Sequence, residues 1–176
     1  SQPAEEKALP AGYSNAKLDR GHKGMTLDDF VKHPQAVAAD LDRATVLALR
    51  LYTTSASKAI NRPLREGRKH PYPALVAHLV NGITKLRAAN LKNEDQRSVE
   101  ISRGLKIDPS EEFFARGATD LSFMSAMKLE RKAAEKAVST DGAAASVLMK
   151  LQLAPEQLGA DISFLSCFPG ECEILY

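Results

Sequence analysis

The feature that most constrains this chain is a change of hydrophobic period near its middle. Leu75, Val76, Leu79, Val80, Ile83 and Leu86 recur at helical spacing through to about Ala89, and no other stretch of the sequence is so regular. After the polar stretch Asn90 to Gln96 the spacing shortens, and Val99 with Ile101, then Leu105 with Ile107, alternate as a strand does. Helical patterns fill the chain before this point and strand patterns dominate after it. Such an order predicts an α+β domain and argues against alternating βαβ units.

The 176 residues suit one domain, and 44% hydrophobic residues supply a real core. Residues 1–25 carry glycine, proline and charge without periodicity and read as a leader or wrapping arm. Residues 26–176 read as the domain, with a helical part over 26–92 and a strand-rich part over 93–176. Thr26 followed by Asp29 resembles a capping box, so a helix starts there and stops near His33-Pro34. A second helix is expected from about Val37 to Leu51, with Leu41, Ala44, Leu47, Ala48 and Leu51 on its apolar stripe. Tyr52 to Ser55 is a capping loop before a short helix that Pro63 interrupts or redirects. Pro73 suits the first turn of the long helix, and His78 beside its stripe reads as a flanking or core histidine.

In the second half, Arg103-Gly104 breaks the first strand. Leu121 to Met127, Ser146 to Leu153, Ile162 to Ser166 and Glu171 to Tyr176 are further strands, with a charged helix over Lys128 to Val138. The last of these strands carries two carboxylates at alternate positions just past Pro169-Gly170. Residues i and i+2 of a strand share a face, so Glu171 and Glu173 stand side by side against their own repulsion while Cys172 and Ile174 face away. Either this pair has a chemical use, or it is the charged face of an edge strand.

Several function classes drop out. A net charge of +2 is too small to argue for nucleic acid, and the cluster Arg62, Arg65, Arg68, Lys69 and His70 reads as a solvated loop or a docking surface for phosphates or an acidic partner. No apolar run reaches the roughly 20 residues that cross a bilayer, and the first residues lack a signal-peptide pattern. That leaves cytoplasmic and secreted settings both compatible. Cys167 and Cys172 read as free thiols, and no zinc-ligand spacing exists, so no metal is expected. There is no GxGxxG, P-loop, HExxH or serine-triad signature.

What remains is Arg103-Gly104-Leu105, then Phe123-Met124-Ser125-Ala126-Met127, then Phe168-Pro169-Gly170-Glu171-Cys172-Glu173-Ile174-Leu175. In this order they resemble the arginine, serine and glutamate motifs of the R-S-E class of mono-ADP-ribosyltransferases. Leu51-Tyr52-Thr53-Thr54-Ser55, with Ala59-Ile60-Asn61 and Leu64-Arg65, is similar to the helical segment before the catalytic core of that class. The resemblance spans Ala48 to Tyr176. It implies helices packed on a split, mixed β-sheet, with NAD as substrate and nicotinamide as leaving group.

The resemblance also implies roles. Glu173 holds a ribose hydroxyl and faces the oxocarbenium-like charge that develops as the bond to nicotinamide breaks, as carboxylates do in glycoside cleavage. Ser125 orients Glu173. Arg103, an always-charged fork, meets the phosphate or ribose oxygens, and Gly104 lets the ligand approach the backbone. Glu171 goes with arginine acceptors, because a carboxylate holds a guanidinium on two points. Phe168, in the turn from Ser166 to Gly170, meets the acceptor, which is a protein with an exposed arginine or a small guanidino compound. The departures are specific. Ser125-Ala126-Met127 keeps one hydroxyl of the usual Ser-Thr-Ser, and no aromatic follows it, so either Phe123 or Phe168 stands in beside the nicotinamide or NAD binds loosely. Ser102 precedes the arginine where an aromatic is frequent, and few residues follow the last motif. Water in place of the acceptor would make the same residues an NAD glycohydrolase, and a catalytically weakened interaction module is the third reading.

Overall fold

The computed structural model describes residues 19, 22, 24–91, 99–105, 111–117, 119–128 and 147–176. The expected helix over Lys128 to Val138 past its first residue, Ile107, and most of the expected leader lie outside the described residues.

Helix α1 (Leu27–Val31) starts as the Thr26 and Asp29 pair requires, with the Asp29 carboxylate accepting from the Thr26 N–H and hydroxyl at 2.7 Å each. The single helix expected over Val37 to Leu51 is two: α2 (Pro34–Ala38) and α3 (Arg43–Tyr52). Asp40 stands between them with φ of 49°, and the Leu41 N–H closes back onto the Ala36 carbonyl at 2.9 Å, a C-terminal cap usually made with glycine. Asp42 then caps α3 through the Thr45 N–H.

This restart sets which face of α3 is buried. Thr45, Val46, Ala48, Leu49 and Tyr52 point inward, while Leu47 and Leu51, expected in the core, are exposed. Helix α4 (Ala56–Arg65) runs through Pro63, which ends up buried without breaking it. Helix α5 (Pro73–Asn90) begins on Pro73 as expected and buries Leu79, Gly82, Ile83 and Leu86, though Val80 is exposed. Gly82 lets α3 come close: a Cβ there would lie 2.8 Å from Thr45 Cγ2 and 2.9 Å from Leu49 Cδ1. His78 flanks this contact, its Nδ1 at 3.2 Å from the Thr45 hydroxyl.

Among the described residues five strands form one sheet in the order β3-β1-β2-β5-β4, all their pairs antiparallel where a mixed sheet was expected. Strand β1 (Val99–Leu105) pairs with β3 (Val147–Leu153) along its whole length, Gly104 opposite Leu148, so Arg103-Gly104 does not break it. Between them in sequence lie α6 (Glu111–Arg116) and β2 (Ser125–Met127), the latter shorter than the expected Leu121 to Met127. The β1–β2 junction is the single pair Ser102 with Met127, which splits the sheet into two halves.

The C-terminal third departs most from expectation. The strand is β4 (Ala160–Asp161), while Ile162 to Ser166 is a turn whose Leu165 and Ser166 N–H groups both donate to the Ile162 carbonyl at 2.9 Å. Strand β5 (Glu173–Leu175) starts two residues late, because Pro169–Glu171 forms a 3₁₀ turn and Cys172 takes a left-handed conformation with φ of 46°. Glu171 and Glu173 are therefore not neighbours on one strand face. Nor is β5 an edge: it lies between β2 and β4. Both cysteines are free thiols. Phe30, Val46, Leu49, Leu79, Leu86, Ile162, Leu165 and Leu175 join the helices to this half-sheet in one core, each large side chain contributing about 1.5–3 kcal/mol on burial.

Candidate active site

The site begins at the end of α3. The Tyr52 hydroxyl donates to the Phe123 carbonyl at 3.0 Å, and the Asn61 amide of α4 donates to the same carbonyl and to the Tyr52 hydroxyl, each at 2.9 Å. Burial pushes the Tyr52 pKa up, so the hydroxyl keeps its proton. These bonds fix the segment that enters β2. On the next two residues Met124 exchanges backbone hydrogen bonds with Tyr176, and Ser125 then pairs with Leu175 of β5.

That register brings Ser125 and Glu173 together. Ser125 Oγ donates to Glu173 Oε1 at 2.7 Å. Ser166 Oγ donates to Oε2 at 3.0 Å and accepts from the Phe168 N–H at 3.1 Å. Both carboxylate oxygens are thus held although Glu173 is only 8% exposed, as a buried charge requires. The turn that supplies Ser166 is itself tied to α3: the Cys167 N–H donates to the Thr53 hydroxyl at 3.0 Å and the Leu165 carbonyl accepts from Arg50 at 3.1 Å. Arg50 in turn lies 3.8 Å over the Phe30 ring and pairs with Asp19, whose N–H donates to the Cys167 carbonyl.

Beside this carboxylate opens a cleft of about 410 Å³. Tyr52, Lys58, Asn61 and Arg65 line it from the helices, Ser102 and Arg103 from β1, Phe123 from the segment that enters β2, and Ser125 and Met127 from β2. Arg103 is 19% exposed. Asn61 Oδ1 is buried without a hydrogen-bond partner, a free acceptor in the wall of the cleft. Phe123 is mostly buried, its ring edge-on to Tyr52.

Asp120 pairs with both arginines that line the cleft. Its carboxylate accepts from Arg65 Nε and Nη2 at 3.3 Å each, and Arg103 Nη2 lies 3.5 Å from Oδ2. Burial works against its charge, but the Ser122 hydroxyl and the Arg65 guanidinium outweigh that and hold its pKa at about 2. Elsewhere in the basic cluster, Arg62 and Arg68 both pair with Glu66, away from the cleft.

Arg103, Phe123 and Ser125 therefore line one cleft, and Glu173 joins them through the Ser125 hydroxyl. Gly104 follows Arg103 on β1, Phe168 meets the site through its backbone, and Glu171 ends the turn two residues before Glu173. Reading the motifs missed Ser166, Asp120 and the part Arg65 plays. Ser166 had a signal, since it lies inside the last motif's own turn. Asp120 had none, because its value depends on arginines from two other elements.

Comparison with known proteins bears on the fold and the family. The fold is that of exoenzyme S from Pseudomonas aeruginosa, solved with human 14-3-3 protein beta and carba-NAD, at a TM-score of 0.51 and 20% identity over 85% of this chain and 74% of that one. It is also that of the eucaryotic mono-ADP-ribosyltransferase ART2.2, solved as a mutant with NADH, at a TM-score of 0.57 and 16% identity over 85% and 71%. No curated protein sequence gives a significant match. Residues 31–176 match the sequence profile of the ADP-ribosyltransferase exoenzyme family, and the chain belongs to that family. It is a mono-ADP-ribosyltransferase with NAD as its substrate. Among the described residues no group of three or more His, Cys, Asp and Glu side chains is placed to hold a metal.

Proposed function

We propose that the protein transfers ADP-ribose from NAD to an arginine side chain of another protein, with Glu173 as the central catalytic carboxylate. The observation that carries this reading is the double hydroxyl grip on Glu173, which leaves a negative charge fixed and nearly dry at the edge of a cleft lined by two arginines. A carboxylate so held needs little reorganisation as positive charge develops beside it.

In this reading Arg103, with Arg65, takes the diphosphate, Gly104 keeps the backbone open to the ligand, and Ser125 and Ser166 aim Glu173. Phe123 lines the wall beside the nicotinamide. The bond from the anomeric carbon to the nicotinamide nitrogen breaks, and its electron pair leaves with nicotinamide. Glu173 stabilises the ribosyl cation that results. A guanidino nitrogen of the acceptor then bonds to that carbon and gives up a proton, with Glu171 holding the guanidinium and Phe168 contacting the protein that carries it. Support for arginine comes from the residue type at 171 alone.

The test is incubation with labelled NAD, with and without polyarginine or agmatine. Labelled acceptor with release of nicotinamide is the expected result. Nicotinamide release with no acceptor labelled would leave an NAD glycohydrolase, and absence of NAD binding at millimolar ligand would leave an interaction module.

A further inference from the structure

Behind the two arginines that line the cleft stands a carboxylate that the proposed reaction does not use. Asp120 lies between two guanidiniums that come from different parts of the fold, Arg65 from α4 and Arg103 from β1, and both Nη2 atoms lie within 3.5 Å of the same oxygen, Oδ2. We propose that Asp120 is a positioning residue for the substrate's diphosphate, converging Arg65 and Arg103 on one wall of the cleft before the substrate arrives. This rests on the reading that the cleft takes NAD.

Two permanently charged guanidiniums repel at this range, and with nothing between them they would swing apart. The Asp120 carboxylate offsets that repulsion. It is itself anchored, because Oδ1 accepts from the Ser122 N–H at 3.0 Å and from the Ser122 hydroxyl at 2.7 Å. It also engages Arg65 by the Nε and Nη2 edge of the fork. The other edge of that guanidinium is not part of the pair, and a phosphate can take it without displacing Asp120. Convergence matters for a ligand with two adjacent phosphates, since each charged group already in place spares the ligand the cost of ordering it. The side chains differ in freedom as the role predicts. Arg103 is 19% exposed, whereas Arg65 is 50% exposed and gains most from a tether. The low pKa of Asp120 keeps the tether charged near neutral pH.

The test is the Asp120→Asn variant, which preserves shape and the acceptor for Ser122 while removing the charge. Steady-state nicotinamide release should show KM for NAD raised about tenfold, with kcat reduced several times less. Affinity for inorganic pyrophosphate, read by calorimetry, should fall in parallel. Ser122→Ala, which loosens the carboxylate without touching an arginine, should move both in the same direction by a smaller factor. In an Arg65→Ala background, Asp120→Asn should lose most of its effect, since the two act through one contact. An unchanged or lowered KM in Asp120→Asn would overturn the proposal and make the aspartate idle or a competitor of the phosphates. Wild-type protein that binds pyrophosphate more tightly than the variant, yet neither binds nor cleaves NAD, would sink the NAD reading while keeping the two-arginine anion site.

Discussion

Ser166 Oγ donates to Glu173 Oε2 at 3.0 Å, across a turn that separates the two residues by seven positions. Ser125 reaches the same carboxylate from β2, but Ser166 comes from the segment just before β5, so one oxygen is held by the sheet and the other by the turn. Ser166 thus adds a second hydroxyl to the carboxylate beside the one that Ser125 supplies. Replacing Ser166 by alanine removes a hydrogen bond to a charged group, worth about 1.5–3 kcal/mol. The expected outcome is a fall in kcat for nicotinamide release of about tenfold or more, with KM for NAD changed less.

Glu173→Gln keeps the shape and one of the two hydroxyl acceptors, its amide nitrogen being able only to donate, and removes the charge proposed to face the ribosyl cation. Nicotinamide release should fall by at least about a hundredfold, while NAD binding by calorimetry persists. Glu171→Gln should spare NAD hydrolysis more than it spares arginine labelling. Equal loss of both activities would contradict the division of roles between the two glutamates.

Gly159 lies against the strand that carries Glu173. A Cβ there would sit 2.5 Å from the Leu175 carbonyl oxygen and 2.9 Å from Ile174 Cγ2, and backbone cannot step aside as a side chain can. Gly159→Ala should cost about 1–3 kcal/mol and lower nicotinamide release by shifting β5. The nearest atoms to a Cβ at Gly82 belong to the side chains of Thr45 and Leu49, so Gly82→Ala should lower Tm with kcat little changed. Thermal melting beside the activity assay separates the two.

Asp120 makes the fold acid-sensitive. Its pKa is depressed from 3.8 to about 2 in the folded state, so its stabilising contribution is present above about pH 4 and is lost as pH falls through that window. Because the residue is partly exposed, the contribution is about 1 kcal/mol. Urea midpoints measured between pH 5 and pH 2 should fall more steeply for wild type than for Asp120→Asn.

The helical half was legible where local chemistry decides alone. Thr26 with Asp29 and Pro73 at a helix start act within one turn, and both appear where their spacing puts them. The single helix read through Val37 to Leu51 failed because hydrophobic spacing carries no sign that Asp40 turns left-handed. The strand read through Glu171 failed in the same way at Cys172, where one positive φ converts a strand into a turn. The motifs marked Arg103, Ser125 and Glu173, since residue type and order are properties of the chain.

The sequence by itself determined the α+β class, the family resemblance and the two glutamates two positions apart, because periodicity and motif order need no contacts to be read. Only the tertiary structure decided that Glu171 and Glu173 lie on different elements, that Ser166 completes the grip on Glu173, and that Asp120 gathers Arg65 and Arg103. Those facts depend on the register of β2 with β5 and on a turn folded back over α3. Such pairings are set by packing between residues far apart in the chain, and no local pattern encodes them.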